Sequence, residues 1–253
     1  MNKKVCLVTT TFTKDGNDMR FKLALKTCQM AREHEYPIYI VDGSPDQMMQ
    51  TQLILNGATK VNSERGRGMG ASRRQCLLMG LATNADVIIW LEPEKHTIVP
   101  LLGKCVELIQ SNQAQLVVPR RRNLDGYPMY QQLSEHRGNW EIGNILGRTD
   151  LDLYIGPRVM NRAAATIMAS YNGKCGENTY GDRWEILFIP IAQMISAKMN
   201  IQSVVVDYVH PTEQLVEDDE LMRKKRDEQF KDLVESMGAE AKRLDIVGLP
   251  GFH

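Results

Sequence analysis

Arginine and glycine residues alternate in one short segment of this chain. The segment spans residues 65–74 and has the sequence RGRGMGASRR. Glycines let a backbone approach a phosphate group closely, and the N-terminus of a following helix attracts anions. The arginines could neutralise a diphosphate; they are Arg65, Arg67, Arg73 and Arg74. The segment therefore predicts a phosphate-binding loop, and the alternative is a glycine-rich turn whose arginines face solvent.

The position of this loop argues against two other nucleotide sites. A dinucleotide fingerprint needs G-x-G-x-x-G after an early strand and an acidic residue about 20 positions later. Here the third glycine is misplaced, and Asp86 precedes a strand instead of following one. A nucleotidyltransferase would place its glycine-rich loop directly after the first strand, where this chain reads TTTFT.

Two carboxylates follow the most apolar run of the chain. Residues 87–91 read VIIWL, which is typical of a buried parallel strand, and Glu92, Pro93, Glu94 and Lys95 come directly after it. Carboxylates two residues apart at such a strand end can bind Mg²⁺ or Mn²⁺ against a diphosphate. Their position favours a metal site over the alternative of solvated loop acids.

Strands and helices alternate along the first half of the chain. Strands are predicted at 5–9, 36–41, 58–62, 87–91 and 116–118, with helices at 19–32, 46–56, 71–82 and 100–110. This alternation predicts an α/β fold whose mostly parallel sheet has helices on both faces. Ligands of such sheets bind beyond the carboxyl ends of the strands. Polar residues stand at these ends, at 9–12, Asp42, 92–94 and 119–122.

The second half has a different pattern. Glycine and proline are frequent over 120–161, which predicts a loop-rich region above the sheet that carries specificity elements. An amphipathic helix is expected at 181–197 and a last strand at 202–208. The charged segment 212–243 has spaced apolar residues, so we expect an amphipathic helix packed on the body or on a partner, including a second copy of the chain.

The composition excludes several classes of protein. The 253 residues include 31 Lys+Arg and 31 Asp+Glu, so no basic excess indicates a nucleic-acid binder. The five cysteines are scattered without a C-x-x-C pair, which disfavours a disulfide scaffold or structural zinc. No apolar run is long enough for a membrane span or a signal peptide. We therefore expect a soluble cytoplasmic protein.

The order of these motifs resembles a known family. A strand with TTTFT, a strand ending in VDGS, the segment GRGMGASRR, and VIIWL followed by acids look like the GT-A nucleotide-diphospho-sugar transferases. The likeness is greatest to family 2 glycosyltransferases and to mannosylglycerate/glucosylglycerate synthases, and it covers 4–122. It implies a GT-A domain over 1–211, with a nucleotide-binding half 1–122 and an acceptor half 123–211, followed by a helical arm 212–253.

The resemblance also implies roles for individual residues. Contacts to the nucleotide-sugar would come from Thr9, Thr10, Thr11, Phe12, Asp42, Arg65, Gly68 and Arg73. The metal, Mn²⁺ or Mg²⁺, would be held by Glu92 and Glu94, in the place of the family's Asp-x-Asp motif, and by His210. The chain departs from the family here, because glutamate is one methylene longer than aspartate and Lys95 follows. Lys95 could supply positive charge to the diphosphate and weaken the need for metal.

A carboxylate base is expected if the reaction inverts the sugar. Inverting members of the fold use such a base to deprotonate the acceptor hydroxyl. Asp182 and Glu185 are three residues apart and would share one face of the predicted helix. The alternative is that they interact with the dipole at its N-terminus. Retaining members work without a clear side-chain base, so the stereochemical outcome stays open.

These expectations combine into one hypothesis. The chain is predicted to be a cytoplasmic GT-A glycosyltransferase that moves a sugar from a nucleotide-diphospho-sugar to an unknown hydroxyl acceptor. Two alternatives remain: a non-catalytic GT-A-like protein that binds a nucleotide or a partner, and a sugar-phosphate nucleotidyltransferase.

Overall fold

The computed structural model describes residues 4–64, 66–215 and 219–248. Within these residues a seven-stranded sheet has the order β3-β2-β1-β4-β6-β5-β9. Its strands are β1 (Val5–Thr11), β2 (Ile38–Asp42), β3 (Lys60–Ser63), β4 (Val87–Trp90), β5 (Leu116–Arg121), β6 (Arg158–Asn161) and β9 (Ile201–Val206). A small hairpin pairs β7 (Lys174–Cys175) with β8 (Asn178–Thr179).

Six of these seven strands run in one direction. The pairs β1–β2, β2–β3, β1–β4 and β5–β9 are parallel, and β6 lies antiparallel between β4 and β5. The register sets Thr11 beside Asp42, so the polar ends of β1 and β2 meet at one edge of the sheet. This confirms the predicted α/β architecture.

Helices connect the strands. They are α1 (Met19–Glu33), α2 (Gln47–Leu55), α3 (Met69–Leu81), α4 (Gly103–Gln110), α5 (Met129–Leu146), α6 (Arg162–Ser170), α7 (Ile189–Ser196) and α8 (Glu220–Arg243). Several begin where a short polar side chain caps a free backbone amide. Asp18 accepts from the amide of Arg20, and Asp46 from that of Met48. All four residues of β4 are buried, as a strand covered on both faces requires.

The prediction of a loop-rich region over 120–161 is wrong. The 18-residue helix α5 occupies its centre, and β6 its end. Two glycines that suggested loops are instead places of close packing. A Cβ at Gly138 would overlap the ring of Tyr154, and one at Gly143 would press on the backbone of Thr149. At both positions only glycine fits, because a neighbouring side chain or backbone occupies the space that a Cβ would need.

The predicted helix over 181–197 is also wrong in its first half. The helix begins only at Ile189, with Pro190 in its first turn, where proline is favoured. Asp182 lies in a bend and Glu185 starts a short 3₁₀ turn, Glu185–Leu187. The two carboxylates therefore do not share a helix face.

The helix predicted over 212–243 begins later, at Glu220, and packs on the body of the protein. It contacts α5 and α7. Its apolar residues Leu233 and Met237 are buried against the same chain, so self-association through this helix has no support from the structure. In the portion of the chain that the structure describes, no helix combines the length and apolarity needed to cross a bilayer.

Candidate active site

Two adjoining cavities open beyond the carboxyl ends of β1 and β4. The loop cavity, of about 530 Å³, lies between the residues that follow β1, helix α1 and the loop 66–68. The helix cavity, of about 470 Å³, lies between α5, α8 and the turn 153–156. They share five lining residues: Arg20, Met69, Glu92, Glu94 and Trp184. The cavities therefore have a common wall.

Most of the residues predicted from the sequence line these cavities. The loop cavity includes Thr10, Thr11, Phe12, Gly68 and Arg73. The helix cavity includes Lys95 and His210, and both cavities include Glu92 and Glu94. Among the described residues, four predicted ones line neither cavity: Thr9, Asp42, Asp182 and Glu185. Arg65 lies outside the described residues.

Thr9 and Asp42 hold the strand ends together. The Thr9 hydroxyl donates to the carbonyl oxygen of Leu91 at 2.7 Å and ties β1 to the end of β4. One carboxylate oxygen of the buried Asp42 accepts from the hydroxyls of Thr11, at 2.8 Å, and Ser44, at 2.7 Å. Asp42 therefore fixes Thr11, which does line the loop cavity. Direct contact of Asp42 with a ligand stays a prediction.

The glycine loop presents backbone to the loop cavity. Gly66 and Gly68 have φ angles of 81° and 89°, a region that other residues rarely adopt. Gly68 precedes α3 and brings no side chain to cap its first amides. These amides carry the positive end of the helix dipole, which favours an anion. Arg67 is exposed and pairs with Glu64, so it does not enter the cavity.

Arg73 is the central cation of the loop cavity. Its residue is 4% exposed, and its guanidinium lies 5.4 Å from the ring centroid of Trp90 and 4.8 Å from that of Trp184. It also donates to the carbonyl oxygen of Arg183 at 2.6 Å. Burial lowers the pKa of Arg73 below its ordinary value, and the charge of Glu92 opposes this shift. Since arginine stays protonated in proteins, a positive charge is held between two indole rings.

Three buried N–H donors at this cavity lack a hydrogen-bond acceptor in the described part of the chain. They are Arg73 Nε, Trp90 Nε1 and Trp184 Nε1. Unpaired buried donors are costly and uncommon in folded proteins. All three belong to residues that line the loop cavity. A ligand rich in acceptor oxygens would satisfy such donors.

The acidic pair Glu92 and Glu94 lies in the common wall. Gly156 has a φ of 96°, and a Cβ there would overlap the Glu92 carboxylate, so this glycine leaves the space that Glu92 occupies. Burial and the negative charge of Glu92 raise the pKa of Glu94. The Lys95 ammonium lies 3.5 Å from Glu92 Oε2 and donates to the carbonyl oxygen of Ile155. Burial alone would lower the pKa of Lys95, but the charge of Glu92 raises it.

His210 stacks on Tyr127 at the other side of the helix cavity. The ring centroids are 4.1 Å apart and the planes differ by 28°. Burial and the nearby Lys95 charge lower the pKa of His210 to about 4, so the imidazole is neutral at pH 7. Within the described ranges, no three His, Cys, Asp or Glu side chains are grouped so that they could hold a metal ion. The predicted ligand set of Glu92, Glu94 and His210 is therefore not assembled.

The buried imidazole leads to a pH-dependent stability. Because its pKa falls from 6.5 to about 4 on folding, protonation favours the unfolded chain. Above pH 6.5 the imidazole is neutral in both states and the free energy of unfolding is at its full value. As the pH falls from 6.5 towards 4, the unfolded chain takes up the proton first and the free energy of unfolding decreases. We expect His210→Gln to flatten the decline in the free energy of unfolding over this interval, measured by urea denaturation. The prediction would be contradicted if the free energy of unfolding fell equally in the wild type and the variant. It would also be contradicted if NMR gave His210 a pKa near 6.5 in the folded protein.

Asp182 and Glu185 hold the segment that carries Trp184. The Asp182 carboxylate pairs with Arg74 on α3 and packs against Gly70, where a Cβ would overlap it. Glu185 accepts a hydrogen bond from the backbone amide of Arg183 at 2.9 Å. The pair thus fixes the chain on both sides of Trp184. Their role as a general base stays a prediction, since neither carboxylate lines a cavity.

Two buried arginines, Arg121 and Arg158, organise the helix cavity. Arg121 bridges Glu135 on α5 and Asp152, with a 2.7 Å hydrogen bond from Nε to Asp152 Oδ2. Arg158 is fully buried and donates to the carbonyl oxygens of Leu153, at 2.7 Å, and Leu187, at 3.2 Å. Both accepting residues line the helix cavity. Residues 119–122 were expected at a polar strand end, and the structure uses Arg121 there to bind two buried carboxylates.

The helix cavity is rich in cationic and hydroxyl groups. Its basic lining residues are Arg20, Lys95, Arg183, Lys225 and Arg226, the last two from α8. The hydroxyl of Tyr154 and Nδ1 of His210 are buried without hydrogen-bond partners in the residues described, and the hydroxyl of Tyr127 is buried nearby. This lining suits a small anionic molecule that also carries hydroxyl groups.

Comparison with known proteins identifies the fold. No protein-family profile and no curated protein sequence matches the chain. A crystal structure of glucosyl-3-phosphoglycerate synthase from M. tuberculosis superposes with a TM-score of 0.61 at 13% identity, covering 98% of this chain and 82% of that one. Its complex with Mn²⁺, uridine-diphosphate-glucose and phosphoglyceric acid gives 0.63 at 13% identity, covering 98% and 81%.

A further complex of that enzyme, with Mg²⁺ and uridine-diphosphate, has a TM-score of 0.61 at 15% identity and covers 98% of this chain and 81% of that one. At such identities the likeness concerns the fold. The resemblance inferred from the order of the sequence motifs is thus confirmed at the level of architecture. This chain has the GT-A fold that it shares with that enzyme.

Proposed function

We propose that this chain is a glycosyltransferase. It binds a nucleotide-diphospho-sugar in the loop cavity and transfers the sugar to an acceptor in the helix cavity. The observation that carries the proposal is the set of three unpaired N–H donors around Arg73, beside a helix N-terminus. A diphosphate supplies acceptor oxygens for these donors and a negative charge opposite Arg73. The common wall then places the sugar between the two cavities.

The donor is proposed to lie along the loop cavity. Thr10, Thr11 and Phe12, at the end of β1, would contact the nucleobase and ribose. Arg73 and the amides after Gly68 would bind the diphosphate, and Trp184 would face the sugar. The superposed enzyme is bound to uridine-diphosphate-glucose, which makes this the donor to test first.

The acceptor is proposed to be a small hydroxy acid. Arg183 and Lys225 would attract its anionic groups, and the buried hydroxyls of Tyr127 and Tyr154 would bind its polar ones. The superposed enzyme is bound to phosphoglyceric acid, an anion of this kind.

Arg73 has the largest part in the chemistry of this proposal. As the bond between sugar and diphosphate breaks, negative charge accumulates on the leaving nucleotide. A preorganised, desolvated cation stabilises such developing charge most effectively. Asp182 and Glu185 act as positioning residues, because they fix the backbone whose Arg183 carbonyl accepts from Arg73.

A binding and turnover experiment tests this function. We expect uridine-diphosphate to bind with measurable heat in calorimetry. We also expect release of uridine-diphosphate from uridine-diphosphate-glucose when phosphoglyceric acid is added. The release should disappear in Glu94→Ala and persist in Glu107→Ala, a matched change at an exposed glutamate on α4. Absence of binding by any nucleoside diphosphate would exclude the proposal, and binding without turnover would favour a non-catalytic protein.

A further inference from the structure

Three cations act on the two acids of the common wall, Glu92 and Glu94. The Lys95 ammonium is 3.5 Å from Glu92 Oε2. Arg20 lines both cavities, and its charge acts on Glu94. Arg73 is close enough for its charge to act on both glutamates. Three positive side chains therefore act on these two carboxylates, while Glu135 acts on Lys95 and Glu185 acts on Arg73.

Such a site does not fit a divalent cation. A Mg²⁺ or Mn²⁺ site needs several oxygen ligands with an excess of negative charge. Here the Glu92 carboxylate is already paired with an ammonium, and like charges in a poorly hydrated site repel strongly. The imidazole of His210 lies flat against Tyr127. No third His, Cys, Asp or Glu among the described residues completes a ligand set with Glu92 and Glu94.

The same charges do fit a diphosphate. Glu92 lines both cavities, so the ammonium beside its carboxylate lies at their boundary. The Lys95 side chain is held there by the carbonyl oxygen of Ile155 and is only 12% exposed. A fixed, weakly solvated ammonium interacts with phosphate oxygens more strongly than a mobile surface lysine. Arg73 approaches from the loop cavity, so the two cations face the boundary from opposite sides.

We propose that Lys95, together with Arg73 and Arg20, binds the diphosphate of the donor in place of a divalent metal ion, so that nucleotide binding by this chain is independent of metal. This inference rests on the proposed nucleotide-sugar function. It distinguishes the chain from the superposed enzyme, whose nucleotide complexes contain Mn²⁺ or Mg²⁺. Glu92 and Glu94 then serve to orient Lys95 and Arg20 and carry no ion.

Calorimetry of the full chain with uridine-diphosphate tests this directly. Titrations are made in excess EDTA and in excess Mn²⁺, and Mn²⁺ binding is followed separately by the electron paramagnetic resonance of the free ion. We expect the dissociation constants in the two buffers to agree within about threefold, because a screened charge at the surface changes affinity by no more than about this factor. We expect no Mn²⁺ uptake above that of a control protein, with or without nucleotide.

Variants of Lys95 complete the test. Lys95→Met should weaken binding of uridine-diphosphate in EDTA by about 10- to 100-fold, which is the effect of losing one hydrogen bond to a charged group. Lys95→Arg should restore most of the affinity. Lys104→Met, at an exposed position on α4, should leave affinity unchanged. Thermal melts establish that each variant is folded. Retained affinity in a folded Lys95→Met protein would overturn the inference.

Other outcomes separate the inference from the function on which it rests. Binding that is seen with Mn²⁺ and abolished by EDTA would overturn metal independence while leaving the glycosyltransferase proposal intact. Lack of binding in both buffers, for uridine and guanosine diphosphates alike, would overturn both.

Discussion

Replacing Arg73 by methionine is expected to lower glycosyl transfer by about 100-fold or more, the usual effect of removing one preorganised group that stabilises transition-state charge. The guanidinium is buried between Trp90 and Trp184, so water cannot easily take its place. Methionine fills a similar volume and contacts aromatic rings favourably, so the fold should persist. The measurement is kcat/KM for donor consumption, with circular dichroism as the check on folding.

Arg67→Met is the matched control for this change. Arg67 lies in the same glycine-rich segment, but its side chain is 78% exposed and pairs only with Glu64 among described contacts. We expect its kcat/KM to stay close to the wild-type value. Arg73→Lys should recover little activity, since an ammonium lacks the planar face that stacks between two indole rings. Comparable losses in the Arg67 and Arg73 variants would show that the segment acts through general charge.

Replacing Arg121 by methionine is expected to destabilise the folded chain by about 3–5 kcal/mol, because it leaves two buried carboxylates without their partner. Burial alone would raise the pKa of Asp152, but the hydrogen bonds and charge of Arg121 hold it below its ordinary value. Asn139 supplies one further hydrogen bond to Asp152, at 2.9 Å, which does not replace the lost charge. Urea denaturation at pH 7 measures the change.

The next residue provides the control for this prediction. Arg122 pairs with Asp207, and both side chains are mostly exposed. Surface pairs of this kind contribute little, so we expect Arg122→Met to leave the denaturation midpoint nearly unchanged. A double change, Arg121→Met with Asp152→Asn, should recover part of the lost stability, because it removes one of the unpaired charges. An Arg121→Met protein as stable as the wild type would show that Glu135 and Asp152 take up protons at little cost.

The first half of the fold could be predicted because its sequence carries local information. The run 87–91 is apolar throughout, which is typical of a strand covered on both faces, and β4 lies there. A helix was predicted at 46–56, and α2, Gln47–Leu55, lies there with Asp46 as its N-cap. Strand ends in an α/β sheet meet at one edge, so the positions of Thr11, Glu92 and Arg73 near one cavity could be expected.

The second half could not be predicted, because its organisation depends on contacts between distant residues. A side chain at position 138 would overlap the ring of Tyr154, and no pattern in the neighbouring sequence predicts this contact. Asp182 pairs with Arg74, which is 108 positions earlier. Spacing within 181–185 therefore gave no information on what these carboxylates contact.

The common wall shows the limit of reading a motif by position. Glu92 and Glu94 stand where the sequence resemblance implied metal ligands, and both line the two cavities. The ion pair between Glu92 and Lys95 depends on the turn that brings Ile155 and Gly156 against them. That turn comes from a part of the chain far along the sequence, so the charge balance of the site became visible only in three dimensions.

Helix α8 forms part of the helix cavity through Met222, Lys225 and Phe230, while no described residue beyond Trp184 lines the loop cavity. In the proposed enzyme, α8 would therefore contribute only to acceptor recognition, whereas the five residues shared by the two cavities would serve donor and acceptor alike. Substitutions on the exposed start of this helix would alter the accepted molecule and leave the nucleotide pocket intact. If the proposed activity is present, changes in this single surface helix would suffice to alter the acceptor, in related chains or by engineering.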